Sequence, residues 1–246
     1  MMSRAGPAKM LDFTITPQPD LTTCGAASLH AVYRYYADDI SLDQVIAEVR
    51  QFDDGGTLSV WLGLHALQRG YEVTIYTCDL QVFDPTWFLP GAPPLKDRLS
   101  LQMSKKSNPK LRTASRAYLR YLDLGGRLRM EDFTPELLGG YLAEGSPIIA
   151  GLSVTWLYRC ARERPSDMAA DDTGGEATGH FVVVHGIEPE TRRAHVADPL
   201  LHHPYPGSHA YTVDFDRLAG AILLGVLSFD AKLIVIRPRG RAESSS

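Results

Sequence analysis

The chain has 246 residues, 44% of them hydrophobic and 22% charged, the balance of a globular protein able to bury a sizeable core. A formal net charge of −4 supplies no global basic field, so the totals argue against nucleic acid or an anionic membrane as partner and favour a small or peptide-like substrate. The three cysteines, Cys24, Cys78 and Cys160, are too few and too widely spaced for a disulfide framework or a paired zinc motif, which fits a reducing compartment.

The first residues, MMSRAGPAKMLDF, lack the apolar segment of a signal peptide. The longest apolar stretch, 219–229, is too short to span a bilayer and is followed by Asp230 and Lys232, so a cytoplasmic protein is expected.

Helical periodicity starts at Gly25, where Ala26, Ala27, Leu29, Val32, Tyr33 and Tyr36 recur after a polar stretch, and this puts Cys24 at a helix N-terminus. A second helix is expected over 41–52 with Ser41 as N-cap, and a third over 58–69, stopped by Gly70. Residues 71–76 (YEVTIY) alternate like a strand. Four prolines in 84–94 predict a loop, followed by a basic stretch, 96–121, whose later part, 113–122, reads as a helix with a solvated face. Thr134, Pro135 and Glu136 read as N-cap, first-turn proline and early acid of a helix reaching about Ala143.

Beyond Gly145 short apolar runs predict strands at 147–154, 180–187, 194–197, 211–213 and 233–236, with one short helix at 215–224. The polar stretch 159–178 reads as a loop that could cover a site, because it directly precedes His180. The expected class is α+β, as one domain over 1–246: a helical half over about 13–145, a strand-rich half over about 146–238, and a disordered tail at 239–246.

A cysteine nucleophile needs a thiol favoured as thiolate, an imidazole, a group orienting it and donors for the oxyanion. Cys24 has the helix N-terminus, and Gly25 removes a side chain where substrate must approach. Gln18 is near enough to offer its amide to the oxygen that the Cys24 N–H would bind. His180 opens the apolar run HFVVVHGI, and a hairpin could set Asp198 beside it as orienting carboxylate. Cys78 and Cys160 lack such surroundings and are read as structural, while His185, five residues along from His180, would point to the opposite face.

The segments QPDLTTCGAASL, GHFVVVHGI and HVADP, in this order and at these separations, resemble the papain-fold C39 and C39-like peptidases, in particular a stand-alone, cytoplasmic branch. The resemblance covers most of the chain. It implies a papain-like fold, a helical subdomain packed on a twisted antiparallel sheet, with Cys24 as nucleophile, His180 as general base and then acid, Asp198 as orienting residue and Gln18 as oxyanion donor. Thr23, Gly25, Gly179 and Trp156 are expected to contact the substrate, and the insertion 84–120 to shape its choice.

The expected function is a peptidase or amidase acting on a peptide or amide through a thioester, without cofactor or metal. An acyltransferase resolving the same thioester with an amine and an inactive peptide-binding module are the alternatives. His195, Asp198, His202 and His203 have the chemistry of zinc ligands, but the spacing matches no helical ligand pattern and HHPYPG reads as a turn.

Overall fold

The computed structural model describes residues 9–53, 55–207 and 209–240; most of the expected tail, from 241 on, lies outside them. In chain order the elements are strand β1 (Lys9–Met10), helices α1 (Cys24–Tyr35), α2 (Leu42–Glu48) and α3 (Ser59–Gln68), and strand β2 (Tyr71–Thr77). Then come helices α4 (Leu95–Lys105) and α5 (Pro109–Asp123), strand β3 (Arg127–Arg129), helix α6 (Pro135–Ala143), strand β4 (Ile148–Ser153) and helix α7 (Val154–Tyr158). The chain finishes with strands β5 (Gly179–Glu188), β6 (Arg193–Ala197) and β7 (Ala210–Asp214), helix α8 (Phe215–Leu224) and strand β8 (Lys232–Pro238).

The helix starts carry the chemistry their sequences promise. Ser41 accepts from Gln44 N–H at 3.1 Å, and Thr134 accepts from Leu137 N–H at 3.2 Å ahead of Pro135. The insertion is more regular than expected. Prolines leave only a short 3-10 turn (Pro85–Phe88), but α4 follows at once, and α5 begins four residues before the predicted helix because Asn108 caps it. Helix α4 escapes a periodicity reading because it buries only Leu99.

Eight strands form one sheet among the described residues, in the order β3-β2-β8-β4-β5-β6-β7, with β1 added on β5. All pairings are antiparallel except β2 with β3, a parallel pair that departs from the expected antiparallel sheet. The helical half, 13–145, and the strand-rich half, 146–238, share this sheet, since β2 pairs with the C-terminal β8 along its whole length.

Helices cover both faces of the sheet. Along β5, Phe181 and Val183 enter a core shared with α1, α3 and α5, while Val182 and Val184 enter a second core with α6 and α8. Burial on both sides explains why this strand reads as a continuous apolar run. Among the described residues no helix is long and apolar enough to cross a membrane.

Candidate active site

Cys24 is the first residue of α1 and is 9% exposed. The turn before it is held by Asp20, whose Oδ1 accepts from the Thr22 N–H and hydroxyl, both at 2.8 Å. Thr23 does not cap the helix; its hydroxyl donates to Asp20 O at 3.2 Å, so the first-turn N–H groups at Cys24 are not taken up by a cap side chain. Gly25 allows α1 to close on its surroundings, since a Cβ there would lie 2.6 Å from Thr57 Cγ2 and 3.2 Å from the Phe181 ring. Ser28 donates to Phe181 O at 3.2 Å and ties α1 to β5. The helix that carries Cys24 is thereby fixed to the strand that carries His180.

His180 is 6% exposed, and its Nε2 lies 2.9 Å from Asp198 Oδ1. Asp198 takes Nε2, which leaves Nδ1 as the ring nitrogen for Cys24, one of the two residues whose charge raises His180. Asp198 is fully buried at the end of β6, where every lone pair needs a donor. Oδ1 also accepts from Leu200 N–H at 2.9 Å, and Oδ2 accepts from Tyr158 at 2.5 Å and from Tyr211 at 2.8 Å.

Burial alone would push the His180 imidazolium down. The facing charges of Asp198 and Cys24, with hydrogen bonds to both, outweigh it and hold His180 well above its ordinary range. Asp198 is displaced oppositely: burial would raise it, but the His180 charge and the hydrogen bonds from His180, Tyr158 and Leu200 hold it below the usual carboxylate range. Burial and the Asp198 charge push the Tyr158 and Tyr211 phenols well up, so both stay protonated donors.

Tyr158 and Tyr211 were not singled out by the sequence. Tyr158 ends α7 and Tyr211 lies on β7, and no short motif links either to Asp198. Behind them Tyr205 stacks on Tyr211 at 4.3 Å between centroids and donates to Leu157 O at 2.7 Å.

Cys24 opens into a cavity of about 270 Å³. One wall is Leu21, Thr22 and the turn at Gly55, Gly56 and Thr57; the other comes from 163–179, with Phe181 and Asp230. The 159–178 segment folds on itself, with Glu163 and Glu176 exchanging backbone hydrogen bonds at 3.0 and 2.8 Å. Of the expected substrate contacts Gly179 lines this cavity, while Gly25 and Thr23 flank Cys24 without lining it. Trp156 is elsewhere, exposed against α8 with the Arg217 guanidinium 4.7 Å from its ring. The insertion 84–120 contributes nothing to the lining.

Gln18 is anchored to the end of the Asp198 strand by its N–H, which donates to Pro199 O at 3.0 Å. Its Nε2 donates to Asp20 O at 2.7 Å, and Oε1 is buried without a partner among the described residues. An amide nitrogen carries two protons, so one remains for another acceptor.

The remaining histidines and cysteines have other surroundings. His185 Nδ1 meets Leu11 O at 3.2 Å, and His195 Nε2 lies 2.8 Å from Glu188. Among the described residues no group of three or more His, Cys, Asp or Glu is placed to hold a metal ion. Burial and Asp132 push the Cys78 thiol up to about 11, and burial and Glu163 raise that of Cys160.

No family model and no curated protein matches the chain. Solved structures do. A Bacillus anthracis protein described as a C39-like peptidase superposes with a TM-score of 0.53 at 12% identity, over 95% of this chain and 99% of that one. The peptidase domain of Streptococcus ComA, a bi-functional ABC transporter, gives 0.45 at 13% identity over 92% and 99%. Xylellain, a cysteine protease from Xylella fastidiosa, gives 0.48 at 16% over 95% and 86%. The first likeness establishes the fold, the α+β arrangement of a C39-like peptidase.

Proposed function

We propose that the protein is a cysteine hydrolase that cleaves a peptide or amide bond through a thioester on Cys24. The observation that carries this reading is the line Cys24, His180, Asp198: a thiol at a helix N-terminus on a cavity, which with Asp198 raises an imidazole whose Nε2 is fixed 2.9 Å from a fully bonded carboxylate.

In the first half-reaction the Cys24 thiolate attacks the carbonyl carbon, forming the S–C bond and moving charge onto the carbonyl oxygen. The Cys24 backbone N–H and the second Gln18 amide proton are the donors for that oxygen. The His180 imidazolium gives its Nδ1 proton to the leaving amine as the C–N bond breaks. In the second, neutral His180 takes a proton from water as its oxygen attacks the thioester. Collapse breaks the S–C bond, releases the acid and restores thiolate and imidazolium. Asp198 acts through His180, holding the ring and favouring its charged form, and is a positioning residue.

A proteome-derived peptide library tests this. Wild-type protein should cleave members of it, Cys24→Ala should not, and acid quenching should trap an acyl group on Cys24. Cleavage that survives Cys24→Ala would overturn the reading. Adding glycinamide separates the outcomes of the thioester, because a glycinamide adduct in place of free acid would mark an acyltransferase.

A further inference from the structure

Asp230 lies in the turn before β8, after Phe229, whose φ of +69° reverses the chain. In the sequence it reads only as the charge ending an apolar run, but it is 6% exposed and lines the same cavity as Cys24 and Gly179. Gly179 lets the carboxylate come this close to β5, since a Cβ there would stand 2.1 Å from Asp230 Oδ2. Ser228 stands beside the carboxylate but gives its hydroxyl to Gly225 O at 3.2 Å, and Asp230 Oδ1 has no hydrogen-bond partner among the described residues. A buried carboxylate oxygen left open is costly unless something completes it.

The nearby cations do not complete it. Lys232, 2% exposed, gives its ammonium to Asp79 Oδ2 at 2.8 Å and to Phe229 O. Lys110 sits over the Phe52 and Phe229 rings at 5.4 and 4.9 Å. Burial, reinforced by Asp79, therefore prevails over Ser228 and both lysines, and the Asp230 carboxyl is pushed up to about 6.

The rest of the cavity has the same sign. Glu163 and Glu176 lie in its wall, and Arg164, its one cationic residue among the described residues, is already held by Asp167 through bonds of 3.1 and 2.7 Å. A cleft lined by one sign of charge concentrates ligands of the other.

From this geometry we infer that Asp230 is a specificity-determining residue: its under-bonded carboxylate, in the wall of the cavity, binds a protonated amine or guanidinium of the substrate beside Cys24, so the cleft selects cationic peptides or amides. The inference rests on Cys24 being the nucleophile. A carboxylate that loses its partner when a neutral substrate enters discriminates more strongly than a shape difference would.

Methanethiosulfonates test it, with Cys24 modification followed by peptide mass spectrometry: a cationic aminoethyl and an anionic sulfonatoethyl reagent of similar size, and a smaller neutral methyl reagent. In wild-type protein the cationic reagent should react at least tenfold faster than the anionic one, and Asp230→Asn should cut that ratio at least tenfold. An unchanged ratio would overturn the inference while leaving the nucleophile intact. Failure of even the neutral reagent at Cys24 would remove the nucleophile reading and this one with it. Wild-type protein supplies a second test that needs no substitution: Nα-acetylargininamide should slow neutral labelling of Cys24 and its uncharged isostere Nα-acetylcitrullinamide should not. Equal protection by the two would contradict the proposal.

Discussion

The Tyr158 hydroxyl stands 2.5 Å from Asp198 Oδ2, on the oxygen that His180 does not use. Tyr211 donates to the same oxygen, so two phenols anchor the carboxylate from behind while its other oxygen faces the imidazole. Tyr158→Phe and Tyr211→Phe each leave a buried acceptor short of one donor. Each should lower stability by about 1–3 kcal/mol in urea denaturation. Each should also move the basic limb of the activity pH profile, because a less well fixed Asp198 holds the imidazolium less firmly. Wild-type stability and an unmoved profile in both variants would mean that the phenols do not position Asp198.

Asp198→Asn removes the larger of the two charges that oppose burial at His180. With only Cys24 left to oppose burial, the imidazolium should fall from its raised value toward its ordinary one of about 6.5. The side-chain resonances of His180, followed by NMR from pH 4 to 10, read this directly. The stability difference between wild type and variant should also depend on pH. Asp198 is depressed in the fold, so its contribution is present above about 3.9 and lost as pH falls through the folded value. His180 is raised, so its contribution is complete below about 6.5 and lost as pH rises through the folded value. The difference should therefore be greatest between about pH 4 and 6.5, at about 3–5 kcal/mol for a broken buried pair. A difference that does not vary with pH would contradict the pairing.

Gln18 has one amide proton on Asp20 O and one to spare. Gln18→Ala should lower kcat about 10²-fold with little change in KM, the pattern of a donor used mainly in the transition state. A rise in KM at constant kcat would assign Gln18 to ground-state binding instead.

The residues of the site that were legible in the sequence are those whose local pattern already fixes their place. Cys24 precedes a helical period, His180 opens a β-branched run, and Asp198 closes the next strand, so α1, β5 and β6 nearly predict their meeting. Tyr158 and Tyr211 reach Asp198 only through tertiary packing, across 40 and 13 residues of sequence. Asp230 and Lys232 read in the sequence only as charges after an apolar stretch, for a related reason. Charge ordinarily means exposure, and only the fold reveals that Lys232 is buried on Asp79 and Asp230 on the cleft. Trp156 follows a strand that leads to the site, but α7 turns it onto α8.

Activation of Cys24 by His180 fixes the outcome of competitive iodoacetamide labelling at pH 6.5. Exposure alone favours the wrong cysteine, because Cys160 is exposed and Cys24 is buried. Peptide mass spectrometry should find Cys24 alkylated at least tenfold faster than Cys78 and Cys160, whose thiols are raised, with His180→Ala removing that advantage. Equal labelling of the three cysteines, or a Cys24 rate indifferent to His180→Ala, would contradict the account.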